Sequence, residues 1–379
     1  MTIERHRALA AFQWELRASL EFFLNNGWYG GTRDWSRLHE AQAAACGKSR
    51  SASPRGTDSP AEQAAWIADC YSQWVALSET LSSEGPAEVR CEAVDLSHYG
   101  EARLRRAIEG LAAAFDQSVE SCLFAGLHGS MATLDYTPYS DIDALVVLTP
   151  EAATDPDRLL DIRRQTTRAC SHLYAYDPLQ HHGVFACTGY DLRYYPEAFL
   201  PLATLQRAKG FSGACSFDVA VRNSADEAHD NFRRVTSAIL SRSALDLCKA
   251  DARLVKLTLS ACYLVPCLFL GAIGEFCYKG DSFGRIGTYI DRETLDVLTE
   301  LSRIRDTWSF SQTFARYEGT LQRCGLSPRW IRRVARSTTD KLFLATLRER
   351  RELLDRIPAV VSAFVTALDR HEEGGTHVE

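Results

Sequence analysis

Apolar positions recur every three or four residues through "HRALAAFQWELRASLEFFL" (His6–Leu24) and through "AEQAAWIADCYSQWVALSETL" (Ala61–Leu81). Each spacing predicts an amphipathic helix. Between them, "CGKSRSASPRGTDSP" (Cys46–Pro60) crowds Ser, Pro, Gly and charge together, which predicts a flexible loop near residues 46–60. Residues 1–100 therefore read as a helical N-terminal extension, with no catalytic signature in it.

From Glu101 the periodicity changes. "EARLRRAIEGLAAAFDQ" (Glu101–Gln117) is an amphipathic helix, and "SCLFAGL" (Ser121–Leu127) is a short apolar run. "DALVVLT" (Asp143–Thr149) is strand-like in length and β-branched content. "DPDRLLDIRRQTTRACSHLYA" starts a helix, with Asp155 as N-cap and Pro156 at its first position. "HHGVFACTGYDLRYYP" (His181–Pro196) then reads as extended chain. Beyond Asn223 helical spacing returns in Ala225–Leu247, Leu257–Phe276, Arg292–Asp306 and Asp340–Ile357. The resulting expectation is an α+β chain: a helical extension (1–100), a small mixed-sheet core (101–222) and a helical C-terminal domain (223–379).

Composition narrows the function classes. A formal charge of −6 over 379 residues gives no general pull toward long nucleic acid or an anionic membrane. Twelve cysteines are scattered with no Cys-x-x-Cys and no zinc-type spacing, so reduced thiols and a cytoplasmic location are expected. The N-terminal residues lack the apolar core of a signal peptide. Leu257–Phe276 approaches the length of a membrane span, but Pro266, Thr258 and Ser260 interrupt it. It reads as a buried core helix, not a span.

The chemistry concentrates in "LFAGLHGSMATLDYTPYSDIDALVVL", residues 123–148. Asp141 and Asp143 stand at i and i+2 at the mouth of a strand, so both side chains leave one face. Two adjacent carboxylates repel unless a cation joins them. Hard Mg²⁺ prefers oxygen ligands and keeps positions for water and phosphate, and two-ion sites place the ions about 3.5–4 Å apart. Gly129 lets the backbone turn sharply and approach a ligand, and Ser130 adds a hydroxyl. If a helix starts there, the turn would offer donors to phosphate. Together these features suit a Mg-nucleoside triphosphate. The plain alternative is a strand cap beside an ordinary turn.

Gly-Ser, ten residues, then Asp-Ile-Asp preceded by Ser140, resembles the nucleotidyltransferase superfamily of the DNA-polymerase-beta type, among its members the two-domain, aminoglycoside-like enzymes. Leu134 departs from that pattern, where many small-molecule members have glycine, whereas Asp135 agrees with it. The resemblance covers residues 105–200 and implies the following. Asp141 and Asp143 would hold two Mg²⁺ ions, and a third carboxylate on a later strand would complete the catalytic metal's site and help to deprotonate the acceptor. Asp191 is the candidate, with Asp177 as the fallback. Gly129 and Ser130 would bind the β- and γ-phosphates of a triphosphate, ATP by default, and Lys256 would reach the same phosphates. The expected activity is transfer of a nucleoside monophosphate to a small-molecule acceptor, with release of pyrophosphate. A protein or nucleotide acceptor, or a non-catalytic nucleotide-binding regulator, are the alternatives.

Weaker candidates remain. His181 and His182 could contact the acceptor or accept a proton, or simply bond to backbone, and His128 could sit beside or beneath the phosphates. Lys279, Ser282 and Arg285 in "YKGDSFGRI" fall on an expected loop. Arg329–Glu352 carries eight cations and three anions, which could meet phosphate but more commonly marks a solvated helix face.

Overall fold

A computed structural model describes residues 3–29, 33–46, 59–78, 86–243, 252–308, 330 and 349–375. The loop expected near 46–60 and most of the cationic stretch 329–352 lie outside the described residues.

Three helices come first: α1 (Ile3–Tyr29), α2 (Ser36–Cys46) and α3 (Pro60–Ser78). Then follow β1 (Ala87–Ala93), α4 (Ala102–Phe115), β2 (Cys122–His128), α5 (Gly129–Thr133), β3 (Asp143–Leu148), α6 (Pro150–Ala153) and α7 (Pro156–Tyr176). The core continues with β4 (Phe185–Thr188), α8 (Gly189–Leu192), β5 (Tyr195–Pro196), α9 (Leu202–Leu205), β6 (Lys209–Gly210), β7 (Cys215–Val219) and β8 (Val221–Arg222). The C-terminal helices are α10 (Ala225–Ser243), α11 (Ala252–Ala272), α12 (Lys279–Arg285), α13 (Arg292–Ser302), α14 (Arg351–Leu354) and α15 (Ile357–Gly375).

Six strands form one mixed sheet in the order β4-β3-β2-β6-β1-β7. β3 runs antiparallel to β2 and parallel to β4. β3 is buried on both faces, and its alternation shows how. Ala144, Val146 and Leu148 join one apolar cluster with α1, α3, α4 and α7. Leu145 and Val147 join a second cluster on the opposite face with Phe124, Tyr195 and Leu205. That burial is why the strand reads as a continuous apolar run rather than an alternating one. α7 starts as its sequence predicts: the Asp155 side chain accepts from the backbone N–H groups of Asp157 and Arg158.

The boundary expected at residue 101 does not follow the sheet. β1 lies in 1–100, yet it pairs parallel with β6 and antiparallel with β7. The helical extension is likewise fastened to the core. Asn25 of α1 donates to the Val184 carbonyl (2.8 Å) and accepts from the Val184 N–H (2.9 Å), so one amide serves both backbone groups at the entry of β4. Gln13 of α1 donates to the Tyr194 carbonyl at 2.7 Å and accepts from Arg222 at 3.1 Å.

The C-terminal helices build a third cluster around α11, into which Tyr139 and Leu179 of the core project. α11 is the one described helix long and apolar enough to cross a membrane, and its apolar residues are spent in this cluster. Pro266 sits within it without ending it. Residues 279–285, expected as a loop, form the helix α12.

The turn after β2 is tightly determined. Gly129 has φ +66° and Leu134, at the end of α5, has φ 65°. Leu134 thus holds the left-handed conformation a glycine would occupy without cost. A side chain there costs about 1–2 kcal/mol, while a glycine brings more unfolded-state freedom worth roughly 0.4–1 kcal/mol. Leu134→Gly is therefore expected to stabilise the protein by up to about 1 kcal/mol in urea unfolding. A destabilised variant would show that the leucine's packing outweighs its backbone strain.

Candidate active site

β2 and β3 bring the Gly-Ser turn and the aspartates together. His128, the last residue of β2, pairs with Asp143, the first of β3. An added Cβ on Gly129 would lie 2.5 Å from Asp143 Oδ2. Glycine thus suits the positive φ, and any side chain there would make the Asp143 carboxylate shift. Ser130 follows on the wall of a cleft of about 400 Å³ that Asp141, Asp143, His128, His181 and His182 also line. α5 spans only five residues, too short to sum a useful helix dipole. Any anion here would rely on the turn amides and the Ser130 hydroxyl.

The carboxylates are compensated by the chain itself. Lys256 Nζ, 1% exposed, lies 2.5 Å from Asp141 Oδ1 and also donates to Asp177. His181 Nδ1 is 2.9 Å from Asp141 Oδ2. His182 Nε2 is 2.9 Å from Asp143 Oδ1 and 3.6 Å from Asp141 Oδ2. Burial alone would raise the Asp141 pKa, but Lys256 and His181 hold it well below the usual range. Burial likewise opposes ionisation of Asp143, and His182 lowers it on balance. Burial raises Asp177, with Lys256 opposing and Asp141 reinforcing the shift. Burial works against a charged His182, yet Asp143 and Asp141 prevail and push it up to about 9.

The histidines are held from three elements. The Gln180 side chain donates to the carbonyls of Ile142 (3.1 Å) and His182 (3.2 Å). Tyr174 of α7 donates to the His182 carbonyl at 2.8 Å, and Asn25 of α1 fixes Val184 just beyond. His182 Nδ1 lies 3.1 Å from the Gly183 carbonyl. A carbonyl only accepts, so Nδ1 carries a proton and Nε2 is the nitrogen turned to the carboxylates.

Four sequence expectations change. Asp191 is not beside the pair. In the parallel register Leu145 faces Phe185 and Leu148 faces Thr188. Asp143 is therefore level with Gly183, and Asp191 lies beyond the far end of β4, more than roughly 16 Å away at about 3.3 Å per residue. Its Oδ2 accepts from the Thr188 N–H (2.8 Å), the Thr188 hydroxyl (2.9 Å) and the buried Tyr71 hydroxyl (3.1 Å). That is a capping box at the start of α8, legible beforehand in Thr188-Gly-Tyr-Asp191. The extended reading of 181–196 fails at the same place. Asp177, the fallback, faces Lys256 rather than the cleft. Lys256 is buried between carboxylates and does not line the cleft; Lys279 of α12 does, with Arg234 and Arg305. Ser282 is buried and donates to the Lys279 carbonyl at 2.6 Å, while Arg285 is exposed.

Asp135 ties the turn to the C-terminal helices. It accepts from the Thr133 hydroxyl, which lies 3.0 Å from the Tyr278 hydroxyl, and Tyr278 also donates to Asp135 at 3.4 Å. Across the cleft, Tyr139 donates to the Lys256 carbonyl at 2.7 Å. Both walls are thereby fixed.

Among family models, curated proteins and solved structures, nothing matches the chain.

Asp191→Ala should cost about 2–4 kcal/mol in chemical unfolding, by losing the cap and stranding the Tyr71 hydroxyl. Metal affinity should remain unchanged in the folded protein. A tenfold loss of metal affinity would instead place Asp191 in the site.

His128 offers a pH test. It is 4% exposed, its Nε2 has no partner, and its ring packs edge-on to Phe185 at 4.9 Å. Burial lowers its pKa to about 4, with Asp143 opposing and His182 and Lys279 reinforcing the shift. The folded value lies below the ordinary 6.5, so stability is present above pH 6.5 and lost as pH falls toward 4. From pH 7 to pH 5 wild type should lose about 2 kcal/mol more than His128→Leu. Parallel losses in the two proteins would show that His128 protonates freely in the fold.

Proposed function

We propose that the protein transfers a nucleotidyl group from a nucleoside triphosphate to a small-molecule acceptor in this cleft. The observation that carries this is the approach of the Gly129 backbone to the Asp143 carboxylate, 2.5 Å from an added Cβ to Oδ2. A phosphate on the turn and a cation on the carboxylates would then be in bridging contact, which is the juxtaposition that phosphoryl chemistry requires.

Two of the expected parts do not fit. A pair of Mg²⁺ ions on three carboxylates lacks its third carboxylate, and Asp141 has one oxygen already given to Lys256. One divalent ion on the remaining donors fits them. Bound there, such an ion would supply polarisation of the α-phosphate and a lowered pKa for the acceptor hydroxyl. The chain's own residues do the rest. The Ser130 hydroxyl and the turn amides hold the terminal phosphates, and Lys279 offsets their charge. Lys256 keeps Asp141 ionised and its second oxygen aimed at the cleft. His182 Nε2 faces both carboxylates, where it would serve as a further donor to the ion.

Support for one acceptor class comes from the far wall, where Phe199, Leu200, Val235, Leu264, Leu268 and Phe276 line the cleft. Beyond the aspartate pair, Glu197 is the only carboxylate among the described lining residues, against Arg234, Lys279 and Arg305. A polycationic, aminoglycoside-like acceptor is a poor match; an acceptor with an apolar body is a good one. The net charge of −6 still disfavours long nucleic acid. Among the described residues no two cysteines form a disulfide, which suits a reducing compartment such as the cytoplasm.

A second reading rests on Lys256 and the histidines, which neutralise the carboxylates without any metal. A nucleotide-binding regulator needs no more than that.

Unfolding temperatures measured with each triphosphate, with and without a divalent ion, test the proposal. At 100 times its Kd one triphosphate should add roughly 2.7 kcal/mol, a shift of a few degrees. The shift should vanish in Asp143→Asn, which disfavours the regulator. Stabilisation that persists without metal and in Asp143→Asn would favour it. No shift with any triphosphate would sink both readings.

A further inference from the structure

The donor atoms around Asp141 differ in kind from the all-oxygen set that magnesium prefers. Asp141 Oδ2, His181 Nδ1 and His182 Nε2 all lie within 4.8 Å of one another, and Asp143 Oδ1 stands 2.9 Å from His182 Nε2. Ligands at about 2.0–2.1 Å from one ion sit roughly 3.0 Å apart at octahedral right angles and roughly 3.4 Å apart in a tetrahedron. The observed separations of 2.9, 2.9 and 3.6 Å are close to those of such a first shell.

Three further features point the same way. The Gly183 carbonyl holds His182 Nδ1, the outer-shell bond that metal-ligating histidines usually make, and leaves Nε2 facing inward. Lys256 takes Asp141 Oδ1, so Asp141 has Oδ2 to give to an ion. Asn25, Tyr174 and Gln180 brace the histidine segment from α1, α7 and the loop before it. A loop so braced is more than a solvated His pair.

We infer that Asp141, His181 and His182, with Asp143 beside them, form a mono-metal site for a borderline transition-metal dication, of the Zn²⁺ or Co²⁺ class, in preference to Mg²⁺. Imidazole suits these ions, whereas Mg²⁺ demands oxygen and keeps its water. The helical extension, which the sequence left without a role, then acts as a positioning element through Asn25. The inference rests on the same site as the proposed transferase but not on its reaction.

The test uses the full chain stripped with chelator and titrated with Co²⁺, whose visible absorption reports its ligands. One Co²⁺ per chain is expected, with bands characteristic of nitrogen and oxygen ligation. Its affinity should exceed that of Mg²⁺ at least 100-fold. His182→Ala and His181→Ala should each weaken Co²⁺ at least tenfold, with circular dichroism confirming that both fold. Two Co²⁺ per chain, equal Mg²⁺ affinity, or unchanged Co²⁺ spectra in both histidine variants would each overturn the inference. The wild-type stoichiometry and spectrum decide the matter even if a variant fails to fold. A metal-dependent triphosphate shift without Co²⁺ preference would leave the transferase standing and remove this inference. Tight Co²⁺ binding with no triphosphate shift would do the reverse.

Discussion

Two carboxylates held at the mouth of a doubly buried strand are the constraint to which the rest of the structure answers. Asp143 begins β3, whose next five residues are all fully buried, so the pair cannot retreat to solvent by local rearrangement. Charges in that position are costly unless compensated. Lys256 comes from the C-terminal helices, His181 and His182 come from the loop before β4, and the Gly129 backbone leaves space because it has no Cβ. Each of these is supported by an element remote in sequence. α11 places Lys256, and α1 places the histidine segment through Asn25.

This arrangement explains why the chain is more than a small sheet with appendages. The N-terminal helices, the sheet and the C-terminal helices each contribute one wall or one brace to the same cleft. Tyr139 reaches from the core into α11, and Tyr278 reaches back to Asp135 beside the Gly-Ser turn. A cleft fixed on both sides keeps phosphate donors and metal ligands in register, the preorganisation that transfer chemistry depends on.

What was legible in the sequence was local. The 123–148 stretch announces a strand, a turn and two carboxylates on one face because its periodicities change within a few residues. The Asp155 cap and Pro156 mark α7 for the same reason. What was not legible required pairing across the chain. Asp191 looked like a third acid until the parallel register of β3 and β4 placed it at the wrong end of the sheet. Its Thr188-x-x-Asp191 signal was present and points to a cap. Lys256 looked like a phosphate ligand because a lone cation on an apolar helix has no local partner; Asp141 and Asp177 lie 115 and 79 residues away in sequence. β1 escaped notice because "AEVRCEA" (Ala87–Ala93) is a half-exposed strand with little apolar content.

The central claim is that the turn and the carboxylates are one device, so metal and triphosphate must bind cooperatively. Calorimetric titration of the most stabilising triphosphate, with and without saturating divalent metal, on wild type and on Gly129→Ala, tests this most directly. Metal should tighten triphosphate binding at least tenfold in wild type, about 1.4 kcal/mol of coupling. The coupling should disappear in Gly129→Ala, where the methyl group separates turn from carboxylate. Equal triphosphate affinity with and without metal in wild type would contradict the account.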